Sequence, residues 1–207
     1  FRKFGTASVS DVRVFAEDKN NHIWIAVHQP DDQLFKYDPS SKKYVQYQYD
    51  PLDPYSFSGN NIRGIIPDND GGVWVTSYFK LHKFNSHDQT FLNINIPFQP
   101  TTLLKDSKGK IWLGKWHGVE VYDPQSNKHE PLINFPPTEV KSMIEDREEN
   151  IWIGTNDGLF RYSLKTGQLD AFKHNPADPQ SISHNKIEHL MIDQKGTMWL
   201  GTFGGLN

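Results

Sequence analysis

The stretch ENIWIGTNDGLFRYS, residues 149–163, decides the fold. Its first part, NIWIGT, sets a tryptophan among aliphatic and small residues, as expected of a strand that is covered on both faces. TNDG then supplies turn residues, and LFRY begins a second apolar strand. One copy would predict only a β-hairpin, so the interpretation depends on how often the stretch recurs.

The pattern of this stretch occurs five times in total along the 207 residues. Every copy has an Asp six residues before a Trp, an apolar strand before that Asp, and a small residue two positions after the Trp. Most copies continue with two further strands. The tryptophans are Trp24, Trp74, Trp112, Trp152 and Trp199, the aspartates are Asp18, Asp68, Asp106, Asp146 and Asp193, and the small residues are Ala26, Thr76, Gly114, Gly154 and Gly201.

Four antiparallel strands, A to D, repeating about every 40–50 residues predict the blades of a β-propeller. We expect the Trp to fill the contact between blades, the small residue to leave room beside it, and the Asp to cap the A–B turn. The fold class is therefore all-β, one propeller region with about five units. The expected segments are 1–11 as the end strand of a preceding blade, blades at 12–61, 62–99, 100–139 and 140–186, and a partial blade at 187–207.

Composition excludes several classes of function. The net charge of −3 comes without a basic stripe, so nucleic acid is not an expected partner. No run of 18 apolar residues is present, which argues against membrane contact within this segment. The chain has no Cys, hence no thiolate site. DNDGG at Asp68 resembles half a calcium loop, but the other copies lack the second acid, so we expect a turn, no metal site and no cofactor.

The pattern I-x-x-x-x-D-x-x-x-x-I-W-I-G-T-x-x-G-L-x-x-Y, best preserved in VKSMIEDREENIWIGTNDGLFRYS, resembles the two-component regulator propeller repeat. The resemblance implies the periplasmic sensor region of a hybrid histidine kinase from polysaccharide-degrading bacteria. Such sensors have seven-bladed or larger propellers, act as dimers and bind oligosaccharides. No kinase motif lies in this chain, so the resemblance predicts a non-enzymatic segment.

Two proline-rich segments support the resemblance. YDPLDPYSFSGNNI, residues 49–62, and HNPADPQSISHNKI, residues 174–187, are copies of one insert between strands D and A. The third unit departs from the family pattern, because Lys115 and Trp116 stand where Thr and a small polar residue are usual.

The candidate binding residues follow from strand order. In an A-B-C-D meander the B–C loops and the D–A inserts emerge at one end of each blade, which we call the loop face. Trp116 is the one Trp outside the repeat position, and an exposed indole suits the C–H face of a sugar. The full candidate set is Trp116, His117, Lys115, Tyr78, Phe79, Phe203, Asn156, Asp157 and His28. These aromatic side chains could instead fold back and plug the propeller.

Catalysis is not expected, because the chain has no metalloprotease, nucleophile-elbow or phosphate-loop motif. Glu17, Glu145 and Glu188 are the carboxylates that a propeller glycosidase would need, and we expect them to be solvated strand ends. The leading interpretation is an oligosaccharide-sensing propeller. The alternatives are a protein-interaction propeller and, less favoured, a lyase or hydrolase.

Overall fold

The computed structural model describes residues 11–28 and 32–207. In this part of the chain every regular element is a β-strand, and all strand pairs are antiparallel. The strands form sheets in simple meander order, which confirms the predicted class of propeller blades. The expected end strand at 1–11 falls almost entirely outside the described residues.

The chain divides into two compact units, residues 1–100 and 101–207. The first unit holds two four-stranded blades. Blade one comprises β1 (Val12–Glu17), β2 (Ile23–Val27), β3 (Gln33–Asp38) and β4 (Lys43–Tyr47), and blade two comprises β5 (Gly64–Pro67), β6 (Val73–Ser77), β7 (Lys80–Asn85) and β8 (Thr90–Asn95).

The second unit holds two four-stranded blades and a three-stranded one. Blade three comprises β9 (Pro100–Lys105), β10 (Ile111–Lys115), β11 (Gly118–Asp123) and β12 (Lys128–Pro131). Blade four comprises β13 (Val140–Glu145), β14 (Asn150–Thr155), β15 (Gly158–Ser163) and β16 (Leu169–Phe172), and blade five comprises β17 (Ile187–Ile192), β18 (Met198–Thr202) and β19 (Gly205–Leu206).

Within each unit, repeat tryptophans lie where one blade meets the next. Trp24 of blade one is fully buried, and its ring lies 4.7 Å from Phe84 of blade two. Trp112 of blade three is 5.4 Å from Tyr162 of blade four. Trp199 of blade five differs, because 37% of it is exposed. The expectation that all five are core residues is therefore wrong for Trp199, which has no following blade among the described residues.

The small residue two positions after the Trp leaves room for the first residue of the next blade. It was expected to leave room beside the Trp itself. A Cβ built on Gly114 would lie 2.8 Å from Cγ1 of Val140, and one built on Gly154 would lie 2.7 Å from Cγ2 of Ile187. Val140 and Ile187 begin the A strands of blades four and five, and both are fully buried. Close packing of this kind fixes the spacing of the blades.

The repeat Asp caps the A–B turn, as predicted. In blade three, Oδ1 of Asp106 accepts hydrogen bonds from the backbone N–H of Lys108 and Lys110 at 3.0 and 2.8 Å. Oδ2 accepts a further bond from Nε1 of Trp112, at 2.8 Å. This second role was not expected from the sequence, and it ties the turn to the blade core.

Candidate functional site

The loop face carries the hairpin turns between strands B and C, together with the D–A connections. In blades one, two, four and five, a backbone hydrogen bond attaches the hairpin to the chain just before the A strand of its own blade. The N–H of Asn156 donates to the carbonyl of Glu139 at 3.1 Å, and the N–H of Phe203 donates to that of Lys186 at 3.1 Å. Equivalent bonds link Tyr78 to Asn60 and His28 to Asp11. The candidate residues therefore stand on turns that the scaffold holds in place.

Blade three presents Trp116 to solvent. Trp116 is 53% exposed. His117 is also exposed. Lys115 is half-buried, and its ammonium lies 2.9 Å from a carboxylate oxygen of Glu120. Gly118, which follows the turn, donates its N–H to Thr138 at 3.0 Å.

The hairpin that carries Trp116 lacks the threonine turn found in blades four and five. In blade four, Oγ1 of Thr155 donates to the carbonyl of Gly158 at 2.8 Å and accepts the N–H of Asp157 at 2.9 Å. Lys115 occupies the position of Thr155 in blade three and bonds to Glu120 instead. At the next position of the turn, blade three has Trp116 where blade four has Asn156.

The polar candidates of blade four are engaged with neighbouring charges. Asn156 donates from Nδ2 to Oε2 of Glu139 at 2.6 Å. Asp157 forms an ion pair with Lys173 at 2.8 Å, and both side chains are about half exposed. A sugar hydroxyl could compete for such exposed partners, since exposed ion pairs contribute little to stability.

Phe203 of blade five is 63% exposed. The ammonium of Lys186 lies 3.7 Å from its ring centroid, and the ring of His184 is 6.1 Å away. Together these side chains form a second exposed aromatic group on the loop face of the second unit.

The first unit carries the remaining candidates. Nδ1 of His28 is 2.6 Å from Asp32, and the other carboxylate oxygen of Asp32 accepts the N–H of Asn61 at 2.6 Å. Tyr78 and Phe79 pack edge to face with centroids 4.4 Å apart, and each is more than 40% exposed. The nine candidates thus form two groups, three residues in the first unit and six in the second.

Sequence reasoning missed the rigidity of the proline-rich inserts. In the first insert, the hydroxyl of Ser56 accepts the N–H of Asp50 at 3.0 Å and lies within 3.1 Å of the carbonyls of Asp50 and Asp53. Ser181, Asn175 and Asp178 repeat this arrangement in the second insert. Aligning the two inserts would have revealed the pattern, because the Asx and Ser positions coincide.

A buried polar network under the first insert was also missed. The amide of Asn93 donates from Nδ2 to the carbonyls of Pro54 and Ser56, which leaves its Oδ1 to accept from Nδ1 of His82 at 2.7 Å. Nε2 of His82 therefore accepts the hydroxyl proton of Ser77, also at 2.7 Å. Burial lowers the pKa of His82 to about 4, so the ring is neutral near pH 7.

The Ser–His–Asn order of this network is that of a nucleophile relay, but its position argues for a structural role. Ser77 and His82 are fully buried. A Cβ at Gly59 would lie only 2.8 Å from both Nε2 of His82 and Oγ of Ser77, so the insert covers the pair directly. No substrate atom fits between them.

Glu145 and Glu188, two of the carboxylates considered for catalysis, contact different partners. Glu145 accepts the N–H and hydroxyl of Ser107 at 2.7 and 2.5 Å, and Glu188 lies 3.3 Å from Lys186. Among the described residues no group of three or more His, Asp or Glu is arranged to hold a metal ion. At the DNDGG turn, Lys83 bonds to the carboxylates of both Asp68 and Asp70.

The blades define a repeat propeller, and comparison with known proteins identifies the repeat. Residues 56–79, 134–157 and 181–204 match the two-component regulator propeller family. These three segments therefore match the repeat that the resemblance predicted. Residues 11–28 and 32–207 contain no helix long and apolar enough to cross a membrane.

One relative in sequence is Histidine kinase P4 of Formosa agariphila, 24% identical over 199 residues, which are 90% of this chain and 14% of that protein. A solved structure, the extracellular domain of BT4673 from B. thetaiotaomicron, superposes with a TM-score of 0.80 at 25% identity over 95% of this chain and 26% of that one. BT4673 is described as a one component system in that structure and as a hybrid two component system in a second structure. The chain thus spans 14% of the first relative's length and 26% of the second's.

The fold also occurs in an enzyme. Virginiamycin B lyase from Staphylococcus aureus superposes with a TM-score of 0.72 at 14% identity, covering 98% of this chain and 70% of that one. At this identity the likeness concerns the fold alone.

Proposed function

We propose that this chain is the ligand-sensing propeller region of a two-component signalling protein and that its loop face binds an oligosaccharide. The family repeats and the extracellular sensor relative support an extracytoplasmic sensor, and hence a periplasmic location. The whole protein, under this proposal, passes the signal to a histidine kinase, as in the relative from Formosa agariphila.

The observation that carries the proposal is the exposure of Trp116 on a fixed hairpin. An indole costs little conformational entropy to hold in place and offers a flat apolar face. The C–H face of a sugar ring is also flat and apolar, while its hydroxyls remain free to bond elsewhere. Such a surface on a rigid loop is typical of recognition sites.

Polar groups for those hydroxyls stand on the same face of the second unit. His117 follows Trp116 directly, and Asn156 and Asp157 occupy the equivalent turn of blade four. Carboxylate and amide oxygens accept from sugar hydroxyls, and imidazole can either donate or accept. Phe203 offers a second stacking surface one blade further along.

Signalling requires more than binding. A ligand shifts an equilibrium only if it contacts two arrangements of the protein differently. We propose that the sensor works as a homodimer and that sugar binding at the loop face favours one arrangement of the two copies. The partners expected are therefore an oligosaccharide and a second copy.

A binding screen tests the proposal. The chain is applied to an array of oligosaccharides, and hits are titrated by calorimetry with wild type and with Trp116→Ala. We expect binding about two- to tenfold weaker in the variant, because an aromatic contact of about 0.5–1.5 kcal/mol is lost.

Tyr44→Ala serves as the control. Tyr44 is 48% exposed, like Trp116, but it begins β4 near the opposite end of its blade. Equal loss in both variants, or identical affinity of Trp116→Ala and wild type, would remove Trp116 from the site. A lack of any sugar response, with capture of a defined protein partner instead, would favour an interaction propeller.

A further inference from the structure

One strand position carries a cation in every four-stranded blade except blade three. The residue that pairs with the repeat Trp on strand C is Lys36 in blade one, Lys83 in blade two and Arg161 in blade four. Each of these cations lies 5.4–5.6 Å from the centroid of its Trp ring, within the range of a cation–π contact. In blade three the same position holds Val121, opposite Trp112.

A cleft opens at this position. Its volume is about 530 Å³, and it lies between blades three and four, beside the A–B and C–D turns and so at the opposite end from the loop face. Trp112, Val121, Leu132 and Tyr162 form its apolar part. The volume is in the usual range for small-molecule sites.

The other blades show what this environment accepts. The ammonium of Lys36 lies over two adjacent rings, 5.6 Å from the centroid of Trp24 and 5.4 Å from that of Phe84 of the next blade. Trp112 and Tyr162 are the equivalent rings in the cleft.

The cation of blade two also contacts the carboxylate of its A–B turn. In blade two, Lys83 lies over Trp74 and also bonds to the turn carboxylate of Asp68. The equivalent turn acid in blade three is Asp106, which is 4% exposed and lines the cleft. The cleft thus keeps the rings and the acid but has valine in place of the cationic side chain.

We propose that the cleft binds an organic ammonium ion, such as an amino sugar or an aliphatic amine, in the position that Lys36 and Lys83 occupy in their own blades. This site is independent of the proposed sugar site on the loop face.

The rim of the cleft carries both signs of charge. Lys108, Lys110 and Lys128 line it together with Asp123 and Glu130. Lys108 is engaged, because its ammonium lies 3.0 Å from the carbonyl of Leu164 and 3.5 Å from Glu149. Lys128 stands opposite Asp123 in the register of β11 and β12. Removing a rim lysine should therefore favour a cation, whereas it would weaken binding of an anion.

The test uses glucosamine and cadaverine as two sources of an ammonium group, with glucose and glucuronate as neutral and anionic controls. Binding is followed by NMR through the Trp112 indole and Tyr162 ring signals. Because a cation–π contact and a carboxylate act together, we expect at least one amine to bind about tenfold more tightly than glucose. A response to glucosamine alone would assign an amino sugar, and a response to cadaverine alone an aliphatic amine.

Three variants locate the ligand. Val121→Lys supplies the chain's own ammonium and should abolish amine binding, and the same register in blades one and two indicates that it folds. Lys128→Gln should tighten binding severalfold, and Glu130→Gln, an exposed change, should weaken it. Tyr44→Ala, in the first unit and outside both proposed sites, should leave it unchanged.

Four results would overturn the proposal: failure of both amines to bind, preference for glucuronate, weaker amine binding in Lys128→Gln, or unchanged amine binding in a folded Val121→Lys protein. If Val121→Lys does not fold, the opposite effects expected of Lys128→Gln and Glu130→Gln still decide the question.

Discussion

The indole nitrogen of Trp112 donates a 2.8 Å hydrogen bond to Oδ2 of Asp106, six residues earlier. The same pair recurs in the other four blades at 2.7–3.2 Å. One carboxylate therefore closes the A–B turn and also satisfies the only polar atom of the buried ring. A buried N–H without a partner is costly, so the spacing of six residues serves both turn and core.

Replacing this acid should destabilise the protein. In Asp106→Ala the buried indole N–H and two backbone N–H groups of the turn lose their acceptor. We expect unfolding free energy to fall by about 2–4 kcal/mol, measured by urea denaturation. Asp193→Ala in blade five is the matched control and should cost less, because Trp199 is exposed and water can replace the lost bond. Equal losses at the two sites would contradict this account.

A methyl group at Gly154 should separate blades four and five. In Gly154→Ala the new Cβ would lie 2.7 Å from Ile187, which is itself fixed in a strand. Overpacking of this kind costs about 1–3 kcal/mol, measurable as a lower thermal midpoint. Gly201→Ala is the control, since the nearest atom lies 3.8 Å away. A destabilisation no larger at Gly154 than at Gly201 would show that the blades can move apart freely.

His82 should make stability dependent on pH. Burial lowers its pKa to about 4 in the folded protein, so the unfolded chain binds the proton more tightly. The stability contributed by the neutral His82 ring is fully present above the unfolded pKa of about 6.5. It is lost as the pH falls toward 4, and the free energy of unfolding then decreases by about 3 kcal/mol at most. Urea titrations at several pH values measure it. In His82→Gln the slope in this window should become smaller, and an unchanged slope would assign the effect to other groups.

The serine inside each insert should act locally. Ser56→Ala removes the acceptor of the Asp50 N–H and frees the insert from its internal bonds. We expect faster hydrogen exchange at Asp50 and quicker protease cleavage in residues 49–56, with blade amides unaffected. Ser181→Ala should do the same to the second insert. Global destabilisation by either variant would mean that the insert supports the blades themselves.

Much of the fold could be predicted from the sequence. The repeat, the strand order and the turn role of the aspartates follow from local patterns, because strand periodicity and turn chemistry depend on neighbouring residues in the chain. The end of the blades that carries the B–C turns follows from strand order alone. Trp116 was found because it is the one Trp outside the repeat position.

The candidate site could be predicted only in part. The sequence indicated which turns carry Trp116, Asn156 and Phe203, but it gave no sign that Asn156 bonds to Glu139 or that Lys186 lies over Phe203. These contacts join residues 17 apart in both cases, across a turn and a strand. Such pairs depend on side-chain direction in three dimensions.

The sequence by itself determined that this chain forms repeated four-stranded blades with a Trp and an Asp in fixed positions, since each unit encodes its own hairpins. Only the tertiary structure decided that Gly154 receives Ile187, that Trp199 is exposed while Trp24 is buried, and that a cleft opens beside Val121. Those features arise where one blade packs against the next, so they depend on side chains that are distant in sequence and on the close packing that brings them together.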